Sequence, residues 1–262
     1  MADNSDTRVI SPEDLWLAFG LLSRLPLPAR EWDSTRPPAR AAWAYPVVGA
    51  VLALIACALG AAMLAVGLPE SFAAAAILAT LTILTGAMHE DGLADTADGL
   101  WGGFTIERRL EIMKDSHIGA YGVLALIANF ALRWAALTAL LQAGALWGPV
   151  LAVALLSRAA MVGVMQVLPH ARETGLSHMT GRPGKRALVL AGLIAAAASA
   201  VLLGPKAPPL WIVVAATAAL CALVAKQKIQ GQTGDILGAT QQVCELALLA
   251  TLCALTLPSS FG

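Results

Sequence analysis

The sequence predicts an all-α, polytopic integral membrane helical bundle, and three observations carry that prediction. Of its 262 residues 58% are hydrophobic and 13% charged, against about 45–50% and 25% in soluble domains. Mean hydropathy is +0.73, and the apolar residues gather in runs close to the roughly 20 residues a spanning helix needs. Polar connections alternate with nearly uncharged ones along the chain. Together these give about seven transmembrane helices plus interfacial helices, in one membrane domain over 1–262.

The elements follow in order. Residues 1–10 are polar and expected to fray. With acids dominating before the first apolar run, no cleavable signal is expected. Ser11-Pro12-Glu13-Asp14 starts a helix, with Ser as N-cap, Pro in the first turn and acids at the positive end of the dipole. Its apolar part, Leu15 to Leu22, is too short to span. With Arg24, Pro26 and Pro28 closing it, 11–25 reads as an interfacial or re-entrant helix. A polar, proline-containing connector occupies 29–42. Spans are predicted near 46–67, 71–88, 119–142, 148–168, 187–204, 210–225 and 240–257.

The loops set an orientation. Connections near 68–70, 143–147 and 205–209 are short and nearly uncharged, whereas 1–45, 89–118, 169–186 and 226–239 are long and polar. All loop Lys and Arg except Lys206 lie in the second set, so the N-terminus and long loops are expected in the cytoplasm. A formal net charge of zero carries no nucleic-acid footprint, and no nucleic-acid partner is expected. Cys57, Cys221, Cys244 and Cys253 lack ligand-like spacing and read as buried hydrophobes, so neither a disulfide nor zinc is expected.

The chemistry concentrates at 89–118, a cytoplasmic acidic segment. His89-Glu90-Asp91-Gly92-Leu93-Ala94-Asp95-Thr96-Ala97-Asp98-Gly99 packs four carboxylates into one run. Asp91, Asp95 and Asp98 share one helical face at i, i+4, i+7. Like charges at that spacing repel, and a hard divalent cation among the oxygens reverses the penalty. Mg²⁺ with substrate phosphates is the reading, with Glu90, Asp91, Asp95 and Asp98 as ligands; the bland alternative is a solvated helix end. Thr105 to Ser116 reads as a surface helix with Ile106, Leu110 and Met113 on one side. Glu107 and Glu111 solvate its outer face, while Asp115 is expected to close the cation site.

Arg133, Arg158 and Asn129 fall mid-span, where an arginine costs about 2.5–3.5 kcal/mol on insertion scales. Each guanidinium either pairs with an internal acid or clamps a phosphate. The loop 169–186 carries Arg172, Arg182, Lys185 and Arg186, either as positive-inside charge or to receive an anionic substrate, with Arg172 the best-placed candidate. His170 and His178 read as ordinary loop residues. The loop from Lys226 to Gly238 lacks the Gly-Lys-Ser/Thr ending of a P-loop. Its glycines still permit backbone N–H groups to approach a phosphate. Asp235, Gln242 and Glu245 run a polar stripe into the last span.

These stretches together resemble the cobalamin synthase family, the adenosylcobinamide-GDP ribazoletransferases. The likeness rests on Leu25-Pro26-Leu27-Pro28, Tyr45-Pro46-Val47-Val48-Gly49, His89 to Gly99, Glu111-Ile112-Met113-Lys114-Asp115-Ser116, Gly119 to Gly122, Ala171-Arg172 and Gly231 to Ala239. It implies a Mg²⁺-dependent enzyme of a bacterial inner membrane, its site facing the cytoplasm. Adenosylcobinamide-GDP would be the donor and α-ribazole or its 5′-phosphate the acceptor, with GMP leaving. Asp91, Asp95, Asp98 and Asp115 are then the catalytic candidates, and Arg172, Asp235, Arg158 and Lys114 the substrate-binding ones. The lipid bilayer is a partner, and a second copy of the chain or other corrinoid-pathway enzymes remain open as protein partners. Two other classes compete. A CDP-alcohol phosphotransferase requires an Ala-Arg step where Asp91-Gly92-Leu93-Ala94 is followed here by Asp95-Thr96. A transporter would show repeated halves with interrupted helices, and no convincing repeat is found.

Overall fold

The computed structural model describes residues 11–28 and 37–256. The predicted fraying of 1–10 lies outside them, as does the 29–36 part of the connector. Eleven α-helices build the described chain: α1 (Pro12–Leu22), α2 (Tyr45–Ala65), α3 (Glu70–Thr85), α4 (Met88–Gly102), α5 (Ile106–Ile112), α6 (Ala120–Gln142), α7 (Trp147–Val167), α8 (Leu176–Thr180), α9 (Lys185–Leu203), α10 (Ala207–Ile229) and α11 (Gly234–Thr256). No β-strand occurs among the described residues; a single bridge joins His170 to Gln232.

Five helical segments are long and apolar enough to cross a membrane, or six if α3 and α4, bent by 88°, count as one broken span. One of the five is the 45-residue stretch Lys185–Ile229. It folds back at Gly204–Lys206, so that Trp211 Nε1 donates to Ser199 Oγ at 2.9 Å although twelve residues separate them. Apolar side chains such as Leu124, Ile127 and Phe130 on α6, and Ile212 and Leu220 on α10, face outward, as a lipid-facing surface requires.

α7 forms the centre, with 15 of its 21 residues buried, and α2, α9, α10 and α11 pack on it. α1 opens as its sequence dictates. Ser11 Oγ accepts from Glu13 N at 3.3 Å, while Ser11 N donates to Asp14 Oδ2 at 3.1 Å, a reciprocal cap. The 38–42 part of the predicted polar connector instead falls in a buried 3₁₀ turn, Pro38–Ala44. Its alanines are small enough to pack closely. Its Arg40 and Trp43 reach the buried Asp14, at 3.1 Å for the ion pair and 3.0 Å for the indole hydrogen bond.

The 88° bend between α3 and α4 uses two consecutive left-handed residues, Gly86 (φ 66°) and Ala87 (φ 58°). Ala87 is held there against its own preference. Arg24 braces the corner: its N–H donates to Leu84 O at 2.7 Å, and its side chain covers Gly86, where an added Cβ would fall 2.5 Å from Nε.

Inside the bundle, Glu245 of α11 lies between Arg133 of α6 and Arg158 of α7. It is hydrogen-bonded to Arg133 and 3.2 Å from Arg158 Nη1. Arg133 also donates to Gln242 Oε1 at 2.6 Å. All four side chains are buried. Of the two sequence readings for the mid-span arginines, pairing with an internal acid is the arrangement found. Removing one partner of a buried ion pair typically costs about 3–5 kcal/mol. Glu245→Ala should therefore destabilise the detergent-solubilised protein by about that much in chemical denaturation, whereas Glu111→Ala, at the exposed Arg108 pair, should change stability by less than about 1 kcal/mol.

Candidate active site

The acidic run is helical throughout, as α4, and lies across the start of α11. The two backbones meet without side chains between them. A Cβ on Gly92 would fall 2.9 Å from Asp235 O, and one on Gly238 would fall 3.2 Å from His89 Cα. Gly238 and Gly231 are thus occupied by packing: Gly231 lies against Pro169 and Ala171, where a Cβ would meet Pro169 O at 2.6 Å. Of the three glycines of this loop, Gly234 alone has open space where a Cβ would stand. The loop is also shorter than the sequence suggests. α10 continues to Ile229, and α11 begins at Gly234 because Thr233 Oγ1 accepts from Ile236 N at 3.3 Å.

Along the i, i+4, i+7 face the environment changes by steps. Asp91 is exposed, Asp95 half-buried and Asp98 buried. Asp98 caps the next helix. Its Oδ2 accepts from Gly119 N at 2.7 Å and its Oδ1 from Gly122 N at 2.9 Å, filling the anion position at the amino end of α6. The two glycines are required for this approach, since a Cβ on either would fall 2.4 Å from an Asp98 oxygen.

α4 turns away from α3 and is not among the five apolar segments. Burial raises the Asp95 carboxyl to about 7, reinforced by Asp91, Asp235 and Asp98 and opposed by Arg172. Three acids therefore crowd Asp95, against a single cation. Asp235 takes an ion pair from Arg172 Nη2 at 3.2 Å and a hydrogen bond from Thr233 Oγ1 at 3.1 Å. Arg172 Nη1 is buried with no hydrogen-bond partner among the described residues. Ser177 donates to Gln232 Oε1 at 2.5 Å, and Gln232 Nε2 lies 3.0 Å from His170 Nδ1. Together with Ala171 N donating to Gln232 O at 2.9 Å, this fastens the Arg172 loop to the start of α11.

The remaining candidates are placed elsewhere. Glu90 faces the ion-pair network, its Oε1 accepting from Thr82 at 3.1 Å and Gln242 at 3.0 Å, while its buried Oε2 has no hydrogen-bond partner among the described residues. The Arg158 guanidinium is taken up by Glu245 and Ala154 O. Asp115 is exposed and bonded to His117 at 2.7 Å, and that hydrogen bond holds its carboxyl below the usual range. Lys114 is exposed on the same turn. The surface helix is α5, shorter than predicted, with Met113 buried and Glu107 and Glu111 exposed. His89 opens the motif yet turns into a small cavity of about 50 Å³ shared with Tyr45. The roles of Gln232 and Ser177 carried no signal of their own in sequence.

Among the described residues, no three His, Cys, Asp or Glu side chains stand as a ready-made metal site. Asp91 and Asp95 nevertheless fit Mg²⁺ in kind, since that ion is usually held by one or two carboxylates and completed by substrate phosphates.

The cobalamin-5-phosphate synthase family profile matches residues 14–253. The chain is similar to the adenosylcobinamide-GDP ribazoletransferase of Bradyrhizobium diazoefficiens, 41% identical over 92% of this chain and 93% of that one. That of Rhizobium etli strain CIAT 652 is 42% identical over 91% and 94%, and that of Azorhizobium caulinodans 41% over 90% and 93%. No solved structure matches the chain.

The Asp98 cap predicts a paired outcome. Asp98→Ala should lower stability by about 1–2 kcal/mol through loss of the cap. Gly122→Ala should do the same by displacing the carboxylate, and the double variant should lose little more than either alone. Thermal unfolding in detergent checks both.

Proposed function

Since the chain belongs to the cobalamin-5-phosphate synthase family, we propose that it transfers the adenosylcobinamide phosphate of adenosylcobinamide-GDP to α-ribazole or its 5′-phosphate, releasing GMP. The observation that carries this at the level of residues is the joining of Asp91 and Asp95 to the Asp235–Arg172 pair across the α4–α11 crossing. Cleaving a diphosphate demands charge neutralisation and in-line positioning more than covalent help.

In the reaction, the acceptor hydroxyl oxygen forms a bond to the phosphorus that carries the cobinamide. The bond from that phosphorus to the bridging oxygen breaks, GMP departs with the electron pair, and the hydroxyl proton passes to a carboxylate. Asp95 or Asp235, which face one another across the α4–α11 crossing, receives that proton. Arg172, anchored by Asp235 through Nη2, offers Nη1 to a phosphate oxygen. Glu90, tied to Thr82 and Gln242, fixes the rotation of α4 so that Asp91 and Asp95 face the substrate. Asp98 sets its distance from α6. Mg²⁺ held by Asp91 and Asp95 would supply neutralisation of the diphosphate charge. Asp115, Lys114 and Arg158 stand outside this set; Arg158 supports it through Glu245.

The chain crosses a bacterial inner membrane seven times in this reading, with its N-terminus and long polar connections in the cytoplasm. The fold-back at Gly204–Lys206 supports the count, because α9 and α10 are about 28 and 35 Å long and each matches a hydrocarbon core of about 30 Å. The position of the loop Lys and Arg supports the orientation.

Two experiments test these readings. In liposomes, GMP and the joined corrinoid should appear together only with acceptor and Mg²⁺, and EDTA should stop both. Asp91→Asn and Asp95→Asn should each lower kcat by at least about 100-fold; near-normal turnover in both would remove α4 from the chemistry. For topology, single cysteines in a background lacking the four native ones are labelled on intact cells with a membrane-impermeant maleimide. Ala145→Cys and Pro205→Cys should react from outside, and Lys114→Cys and Arg182→Cys only after permeabilisation; the reverse pattern would invert the orientation.

A further inference from the structure

A larger cavity lies away from the acids, between α7, α9 and α10. Its volume is about 630 Å³, within the usual 300–1,000 Å³ range of small-molecule sites. It exists because its walls lack bulk: Gly163 on α7, Gly192 on α9, and Ala218 and Ala222 on α10. A Cβ on Gly163 or Gly192 would meet nothing within 4 Å. Two residues with polar groups reach it, Trp211 near one end, whose Nε1 is committed to Ser199, and Lys226 at the other.

From Trp211 to Lys226 the helix rises about 22 Å, so the groove runs along most of a hydrocarbon core about 30 Å thick. Its volume spread over that length leaves a groove narrower than a helix body of about 10–12 Å. A single extended hydrocarbon chain matches that shape, and an entire helix from a second copy does not. Charge defines the mouth. Lys226 is exposed in the last turn of α10, and the antiparallel α9 starts at that same end with Lys185 and Arg186, both exposed.

We propose that this groove binds one acyl chain of an anionic glycerophospholipid, with the lipid phosphate at Lys226. Leu168 lines the groove two residues before His170 and four before Arg172. The bound chain therefore braces the helix end from which the Arg172 loop departs.

The test is native mass spectrometry of the whole protein released from nanodiscs of equal parts phosphatidylglycerol and phosphatidylethanolamine. The natural protein should retain one lipid per chain, enriched about fivefold in the anionic class, the effect of one lysine at a membrane surface. Lys226→Gln should keep the adduct and bring the two classes near parity. Filling the groove with Gly163→Leu and Ala218→Phe should remove the adduct while the melting temperature stays within a few degrees. A retained lipid in the filled variant, no anionic enrichment in the natural protein, or a dimer that the filled variant abolishes would each overturn the proposal. Should the filled variant fail to fold, Lys226→Gln decides alone: unchanged enrichment overturns it.

Discussion

Two arginines in an apolar slab need a counter-charge, and the arrangement of this bundle depends on Glu245 supplying it to both. Arg133 and Arg158 come from different helices and converge on one carboxylate of a third. That fixes α6, α7 and α11 relative to one another where packing of Ala, Val and Leu alone would allow sliding. The same network extends through Gln242 to Glu90, and so reaches the helix that carries the acids. The buried ionic centre and the acidic helix α4 are one connected structure. Isolated pairs of this kind are poor sources of stability when compared with a well-packed apolar core; here their value lies in register.

Much of this was legible in the chain. Composition and run length predicted helices that end within a few residues of most of those observed, and Ser11 and Pro12 marked the start of α1. The grouping of Asp91, Asp95, Arg172 and Asp235 followed from charge placement and resemblance, and the structure brings those four together. Other features depend on contacts that no local pattern encodes. Asp98 has the same spacing and residue type as Asp91 and Asp95, yet it caps α6 because Gly119 and Gly122, more than twenty residues later, leave room for it. Asp115 sits beside the motif in sequence, but a single hydrogen bond to His117 keeps it at the surface. The left-handed Ala87 is invisible to propensity, since alanine favours helix; its N–H donates back to Thr82 O at 2.8 Å, and Arg24 covers the adjoining Gly86.

The stepwise burial of Asp91, Asp95 and Asp98 also shows how one helical face serves two purposes. Carboxylates at i, i+4 and i+7 are chemically alike until the neighbours differ. Solvent at one end, crowding in the middle and backbone N–H groups at the other divide them into an open carboxylate, a perturbed acid and a structural cap. Fixing the innermost acid on α6 makes the position of the outer two reproducible, because α4 can neither rotate nor slide without breaking that cap.

The partners of the buried ion pairs are far apart in the chain, and that has a consequence for how the protein is made. Arg133 and Glu245 are separated by 112 residues. At about 5–20 residues per second of synthesis, α6 waits roughly 6–20 s for α11 to emerge. During that interval both arginines are without the carboxylate that neutralises them, and the acids of α4 have no helix to cross. A chain that stops before the last helix therefore carries the whole acidic signature but lacks Asp235, Gln242 and Glu245, and leaves Arg133 only the more distant Glu90, at 3.9 Å.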